Sequence, residues 1–398
     1  MSPPEEYAQQ ALSHIRHLPQ AIGGRGSCTP AEQQAAEYVA QELRSLGLSD
    51  VRIEPYRGAP STYRPYALAL GTALLGTLLV WIVAGRGTMA LAAVASALGA
   101  WGMLAETDFS SNWMRWLLPK AVSHNAVGIL PPTEKVRKRA ILCAHLDTHR
   151  TPIFYSSKTW HTIFGLLVGG AFVSMALGAV AYTLGALFDW QWVRWLGLAT
   201  AAMEAFALVM CLHADRTPFS PGANDNASGV GVTLGLAARL VEEPLAHTEV
   251  WLAFTGCEEV AAYGVAAFLD AHAPELGDGA VYLILDQVGL GQIMVLTADG
   301  LIVKRKTHPQ ALELAREAAA ALPDLTVHEH VGIAYTDAAV ATKRGLVALT
   351  IDALPPPGTD DWMHWHQMSD TLDHVDLQAL VETHAFTWQI LHEIDQGA

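Results

Sequence analysis

Four long apolar runs, three of them without any charged side chain, constrain the fold of this 398-residue chain more than any other feature. They are Tyr66 to Gly85, Thr88 to Ala105, Ile163 to Phe188 and Trp195 to Leu212. At about 1.5 Å per residue, each run is about long enough to cross a hydrocarbon core roughly 30 Å thick. We therefore predict four transmembrane helices arranged as two hairpins. The alternative, four buried helices of a large soluble core, is disfavoured by runs of this length.

Two hairpins return the chain to its starting side of the membrane twice. The predicted segments are a soluble domain at 1–64, 107–160 and 214–398, interrupted by hairpins at 65–106 and 161–213. Near the helix ends, the soluble side offers Arg57, Arg64, Arg115, Lys120, Arg150, Lys158 and Arg216, whereas the opposite loops offer Arg86 and Arg194. Because cytoplasmic loops are enriched in basic residues, we expect an integral membrane protein whose soluble domain is cytoplasmic.

Glu204 lies near the middle of the fourth run, where an ionised side chain is costly. It is either part of a proton or substrate relay, or a protonated or hydrogen-bonded residue that faces another helix. The second interpretation is the more ordinary one and is favoured.

Composition excludes some partners and bonds. The net charge of −15 argues against nucleic acid, because phosphate binding requires clustered lysine and arginine. The four cysteines are scattered without a CxxC motif, which argues against a disulfide framework. Residues 1–60 contain no apolar stretch of the length that a secretory signal needs, so we expect no signal peptide in this sequence.

The rest of the chain alternates between strand and helix patterns. Short apolar runs predict buried strands at Ala140 to Ala144, Val250 to Thr255, Val281 to Leu285 and Leu346 to Ile351. Helical patterns cover residues 29–48, 228–241, 309–322 and 376–394, and the first begins with a capping box of Thr29 and Glu32. This alternation predicts an α/β fold with a helix-covered, mostly parallel (mixed) sheet.

Acidic and histidine side chains follow these predicted strands, where open α/β sheets bind ligands. His145 and Asp147 follow the first strand, Glu258 and Glu259 the second, and Asp286 the third, while Asp225 opens a helix and His366 lies in a late loop. Imidazole and carboxylate donors without thiolates suit zinc, with cobalt or manganese as alternatives. Two histidines and three carboxylates can hold two metals if one carboxylate bridges them, which leaves one glutamate as a general base.

The same residues lie in recognisable motifs. These are Arg25-Gly26-Ser27, AHLDT at 144–148, GANDNASG at 222–229, Glu258-Glu259, Asp286, and His366 followed by Asp370-Thr371. In these motifs the sequence resembles the di-zinc aminopeptidases (clan MH metallopeptidases), which include bacterial leucyl aminopeptidases and are related to glutamate carboxypeptidases and glutaminyl cyclases. The similarity covers residues 7–57 and 122–395 without the hairpins.

The resemblance implies a role for each site residue. His145 and Asp286 would bind one zinc, Glu259 and His366 the other, and Asp225 would bridge the two. Asp147 would orient His145, and Glu258 would take the proton from a metal-bridging water that attacks a peptide carbonyl. Tyr335 resembles a tyrosine that helps to hold the oxyanion in some members.

The implied function is a membrane-embedded, zinc-dependent exopeptidase, in particular an aminopeptidase that removes N-terminal residues from peptides. One alternative is a catalytically inactive membrane scaffold or receptor of the same fold. Another is a single-zinc acyltransferase like glutaminyl cyclase. The sequence departs from the family in one respect: His145 and Asp225 are 80 residues apart, whereas family members usually connect the two by a short loop. The second hairpin fills this gap, and we expect the hairpins to bring the catalytic face close to the bilayer.

Overall fold

The computed structural model describes residues 3–355 and 364–397, and it divides the chain into two compact units. The first comprises Met1–Pro60, Lys120–His149 and Phe219–Ala398, and the second comprises Ser61–Pro119 and Arg150–Pro218. The segment boundaries predicted from the sequence remain predictions. Part of the last predicted segment, residues 356–363, lies outside the described residues.

A nine-stranded mixed sheet forms the centre of the first unit. Its strands are β1 (Val51–Gly58), β2 (Ala121–Leu130), β3 (Lys138–His145), β4 (Thr248–Thr255), β5 (Val281–Leu285), β6 (Gln292–Asp299), β7 (Arg305–Lys306), β8 (Val327–Val331) and β9 (Val347–Leu354). They are ordered β1-β2-β4-β3-β5-β9-β6-β7, and β8 pairs with β6.

The four strands predicted from the sequence are the parallel centre of this sheet, β4-β3-β5-β9. Every residue of β5 is buried, which explains its uninterrupted apolar sequence. The prediction of a mostly parallel sheet is confirmed for this centre. On the flanks, β1 pairs with β2, β2 with β4, β6 with β7 and β6 with β9, and all four pairs are antiparallel. Because the central strands are parallel, their carboxyl ends meet at one edge of the sheet.

The described residues also form twelve α-helices. They are α1 (Pro3–His17), α2 (Pro30–Ser45), α3 (Tyr63–Ile82), α4 (Arg86–Thr107), α5 (Trp113–Leu117), α6 (Lys158–Phe188), α7 (Val193–Ala214), α8 (Gly229–Glu242), α9 (Tyr263–Leu276), α10 (Pro309–Ala321), α11 (Asp337–Lys343) and α12 (Leu377–Gln396). The four helices predicted for the soluble domain are α2, α8, α10 and α12. Together with α1 they pack apolar side chains against the sheet to form the main core.

The second unit contains the four apolar helices that the sequence predicts, α3, α4, α6 and α7. Each is long and apolar enough to cross a membrane. Neighbouring helices pack as α3 with α4, α4 with α6, α6 with α7 and α7 with α3. The guanidinium of Arg86 donates hydrogen bonds to the carbonyls of Ala186 (2.7 Å) and Leu187 (3.2 Å). The two hairpin turns therefore lie at the same end of this four-helix bundle.

The outer faces of these helices are apolar. Side chains at least 60% exposed include Leu75, Ile82, Leu91, Leu166 and Val209. Helices enclosed in a soluble core would bury such residues, so the soluble-core alternative finds no support in the described chain. Glu204, in contrast, is completely buried in the bundle, and neither of its carboxyl oxygens has a hydrogen-bond partner among the described residues.

Candidate metal centre

The predicted donors converge at the carboxyl edge of the central strands. His145 is the last residue of β3, Asp286 directly follows β5, and Glu258 and Glu259 follow β4 after a two-residue turn. These three strands are neighbours in the sheet. Parallel strand order therefore brings together side chains that lie far apart in the sequence.

Asp225 lies between the two histidines. Its Oδ1 is 3.3 Å from Nε2 of His145, and its Oδ2 is 3.1 Å from Nε2 of His366. The outer partners are Asp286, whose Oδ1 is 3.5 Å from His145 Nε2, and Glu259, whose Oε2 is 3.3 Å from His366 Nε2. The five residues thus form two donor groups that share one carboxylate, with each carboxylate oxygen of Asp225 facing a different group.

The spacing of these donors fits zinc. Bonds of about 2.0–2.2 Å place neighbouring donors of a tetrahedral zinc ion about 3.3 Å apart. The four donor pairs are 3.1–3.5 Å apart. In addition, Oε1 of Glu259 is buried without a hydrogen-bond partner among the described residues, so this carboxylate still has an oxygen to offer. The residues present therefore fit a pair of divalent cations.

The electrostatics also favour a cation at this position. Burial alone would lower the pKa of His366, but Glu259 and Asp225 raise it to about 9. Burial likewise opposes the charge of His145, yet Asp286, Asp147 and Asp225 raise its pKa well above its usual range. Protons on the two imidazoles would partly balance the negative charge of the carboxylates. A bound divalent cation would take over that role and displace these protons.

Asp147 holds the turn that carries both glutamates. Its carboxylate accepts hydrogen bonds from the backbone N–H groups of Glu258 (2.9 Å) and Glu259 (3.2 Å) and from the hydroxyl of Ser27 (2.6 Å). His145 is contacted differently from the implied pattern: its Nδ1 is 3.0 Å from the backbone carbonyl of Asp147 and 3.7 Å from the carboxylate. The carbonyl is therefore the nearer partner of His145 Nδ1, and orientation of His145 by the Asp147 carboxylate stays a prediction.

Two residues quoted in the motifs without a role hold the loop of Asp225. Asp370 accepts hydrogen bonds from the backbone N–H groups of Asn224 (2.7 Å) and Asp225 (3.0 Å). Arg25 is fully buried, and its guanidinium donates to the carbonyls of Leu146 (2.8 Å) and Gly222 (2.9 Å), among others. Arg25 therefore joins the segment after His145 to the segment before Asp225.

Glu32 and His149 are two further contributors that the sequence interpretation missed. Glu32 was predicted only as part of a capping box, yet its carboxylate also accepts from the backbone N–H of Cys257, next to Glu258, at 2.8 Å. His149 is buried beside the centre, with its ring stacked on that of His366. Sequence position could have suggested His149, because it follows the AHLDT motif directly, but no spacing rule indicated the stacking.

Tyr335 lies near the glutamate turn. Its hydroxyl accepts a hydrogen bond from the backbone N–H of Ala261 (2.9 Å) and contacts the carbonyl of Glu258 (3.3 Å). These contacts stabilise the turn after Glu258. Contact of this hydroxyl with an oxyanion stays a prediction.

Sequence comparison relates the chain to known peptidases. The profile of peptidase family M28 matches residues 197–391, a segment that contains every predicted donor except His145. Over this segment the chain is similar to peptidase family M28. Aminopeptidase YwaD of Bacillus subtilis is 26% identical over 330 residues, which cover 74% of this chain and 66% of that protein. The protein named "Probable lipoprotein aminopeptidase LpqL" of Mycobacterium tuberculosis is 26% identical over 200 residues, which cover 42% of this chain and 38% of that protein. The chain therefore spans less than two thirds of the length of either relative.

Solved structures of a zinc aminopeptidase and of a glutaminyl cyclase share the fold. The zinc aminopeptidase BSAP from Bacillus subtilis superposes with a TM-score of 0.59 at 16% identity, covering 97% of this chain and 94% of that one. A glutaminyl cyclase from Bacteroides thetaiotaomicron gives a TM-score of 0.55 at 15% identity, with 97% of both chains covered. The predicted fold class and the family resemblance are thereby confirmed, whereas the individual residue roles stay predictions.

Arg25→Lys tests the link between the two metal-binding loops. A lysine ammonium cannot reach the carbonyls on both loops as the planar guanidinium does, so the Asp225 loop should loosen. Residues that orient metal ligands typically contribute about 10–100-fold in metal affinity, and we expect a loss of that size in a zinc titration against a competing chelator. Arg16→Lys, on the exposed side of α1, is the matched control. Unchanged affinity in Arg25→Lys would contradict the assigned role.

Proposed function

We propose that this chain is a membrane-embedded, di-zinc aminopeptidase that removes N-terminal residues from peptides. The observation that carries the proposal is the bridging geometry of Asp225 between two donor groups spaced for zinc. His145 and Asp286 would hold one ion, Glu259 and His366 the other, and Asp225 both. When bound, two zinc ions would supply Lewis acidity that acidifies a water molecule and polarises the scissile carbonyl.

Glu258 is the proposed general base. Its carboxyl group is buried, and Oε1 has no hydrogen-bond partner among the described residues. Burial raises the pKa of Glu258 well above its usual range, and the nearby carboxylates of Glu259 and Asp286 act in the same direction. A carboxyl group tuned in this way can take a proton at Oε1 and later return it to the leaving amine.

The hydrogen bonds of the glutamate turn support separate roles for the two neighbouring side chains. Asp147 accepts hydrogen bonds from the N–H groups of Glu258 and Glu259, and Tyr335 contacts the backbone on the far side of the turn. The carboxylate of Glu259 lies 3.3 Å from His366, whereas Oε1 of Glu258 has no hydrogen-bond partner in the described part of the chain. The proposal therefore assigns metal binding to Glu259 and proton transfer to Glu258.

The membrane part of the proposal rests on α3, α4, α6 and α7. They are long and apolar enough to span a bilayer, and they expose large apolar side chains. A bilayer would cover these side chains, at about 25 cal/mol per Å² of apolar surface removed from water. We propose that the four helices cross the membrane and that the first unit is cytoplasmic.

The pair Glu258→Gln and Glu259→Gln tests the enzymatic proposal. General-base catalysis typically contributes about 10²- to 10⁴-fold, so Glu258→Gln should lower turnover of an unblocked peptide by about that factor while zinc content stays near wild type. Glu259→Gln should instead bind the second zinc more weakly, and excess zinc should partly restore its turnover. The measurements are peptide hydrolysis and zinc content of the detergent-solubilised chain.

Controls make this comparison specific. Glu275→Gln, on the exposed surface of α9, should leave both readouts unchanged, and the N-acetylated form of the same peptide should resist hydrolysis. Full activity in Glu258→Gln would refute its role as the base. Formation of a cyclised product from N-terminal glutamine would favour the glutaminyl cyclase alternative, and no turnover of any peptide by the zinc-loaded chain would favour the scaffold alternative.

Labelling of single cysteines in intact cells tests the topology. Ala84→Cys and Gln191→Cys lie in exposed hairpin turns, and Glu275→Cys lies on the first unit. A membrane-impermeant maleimide should label the two turn variants directly, but Glu275→Cys only after the cells are permeabilised. The wild-type chain gives the background from its own four cysteines. The reverse pattern would put the first unit outside the cell, and labelling of all three from one side would show that the hairpins do not span the membrane.

A further inference from the structure

His149 lies inside the metal centre, although the resemblance gives it no role. It is 6% exposed, and a ring nitrogen lies within 4.8 Å of donor atoms of both Glu259 and His366. The rings of His149 and His366 have centroids 3.8 Å apart and planes inclined by 16°. This is a nearly parallel stack of two buried imidazoles, one of which is a proposed zinc ligand.

The backbone around the two rings supports the stack. Ser220 donates a hydrogen bond from its N–H to the carbonyl of His149 (2.8 Å). The hydroxyl of the same serine donates to the carbonyl of Gln367, the residue after His366, at 3.0 Å. One residue therefore ties together the two chain segments that carry the stacked rings.

The geometry of the stack argues against His149 as a further ligand of the same ion. An imidazole nitrogen binds a metal along a lone pair that lies in the plane of its ring. Because the rings of His149 and His366 are stacked and nearly parallel, their nitrogen lone pairs lie in two separate planes. The stacked orientation therefore suits packing against a ligand better than joining it.

His366 is a ligand that needs such support. Its φ of 54° falls in the left-handed region, which few residues other than glycine adopt. It lies in a turn rather than in a strand or helix, so regular hydrogen bonding does not set the direction of its side chain. Trp365 also contacts the His366 ring, with centroids 4.3 Å apart. Aromatic packing from His149 and Trp365 therefore acts together with the carboxylates of Asp225 and Glu259 to define the plane of this imidazole.

We propose that His149 is a positioning residue whose ring holds the plane of His366, so that Nε2 of His366 faces Asp225 and Glu259. The inference rests on the proposed function for the identity of the metal site, and it concerns the ion held by His366. In this role the flat ring of His149 positions His366, and the nitrogen atoms of His149 are not required.

Three substitutions separate stacking from ligation and from simple filling of space. His149→Ala removes the ring, and His149→Leu restores volume without a flat surface. His149→Phe keeps a flat ring that can stack but has no nitrogen. His17→Ala is the matched control, because His17 stacks on Tyr38 (4.1 Å between centroids, 13° between planes) on the exposed side of α1.

The experiment is a titration of the detergent-solubilised full chain with cobalt(II), followed by its visible spectrum and by competition with a chelator. Loss of an orienting contact typically weakens metal binding by about 10–100-fold, and we expect that loss for one of the two ions in His149→Ala and His149→Leu. His149→Phe and His17→Ala should keep the wild-type affinity and spectrum.

Either of two results would overturn the proposal. If His149→Phe loses as much affinity as His149→Ala, the ring nitrogen is required and His149 is a ligand. If His149→Ala or His149→Leu binds both ions as the wild type does, the stack does not position His366. A failure of the proposed function would be visible separately, because the wild-type chain would then not bind two ions in the same titration.

Discussion

The metal centre depends on the carboxylate of Asp225, which contacts both of its donor groups. One oxygen lies 3.3 Å from His145 and the other 3.1 Å from His366, so a single side chain links two otherwise separate donor groups. Its position is fixed from outside: Asp370 binds the backbone N–H of Asp225, and Arg25 binds the carbonyl of Gly222. Hydrogen bonds from outside the loop therefore hold Asp225 in its position between the two histidines.

Buried negative charge at this edge of the sheet favours the binding of cations. Asp225, Glu258, Glu259 and Asp286 are each at most 6% exposed and lie close together. Burying carboxylates without compensating positive charge is costly, and the cost grows when like charges are neighbours. Burial raises the pKa of Glu259 to about 7, although the nearby His366 opposes this. Such a site is disfavoured by itself and is stabilised by whatever positive charge binds to it, which couples metal binding to the order of the surrounding loops.

The sequence predicts the central strands and the donor residues better than the contacts that hold them in place. Uninterrupted apolar runs identified the four central strands, and the residues that follow them converge because parallel strands end at the same edge. The strands β1 and β8 escaped prediction because their largely exposed sequences show no clear apolar run. The strand β6 was missed although its residues 293–296 are apolar and buried. The contacts that hold the donors in place were also not predicted. These are the hydrogen bonds of Arg25, the hydrogen bond between Glu32 and Cys257 and the stacking of His149, and each joins segments far apart in the chain. Periodicity and capping rules describe only neighbours in sequence.

The most direct test of the central claim is the zinc content of the purified chain, measured by elemental analysis for the wild type and for Asp225→Asn. A shared carboxylate predicts two zinc ions in the wild type. It also predicts that Asp225→Asn loses affinity for both, whereas Asp286→Asn, which removes an outer donor, weakens only one. One tightly bound zinc in an active wild-type chain, or an Asp225→Asn chain that keeps one site at full affinity, would contradict the bridging role of Asp225.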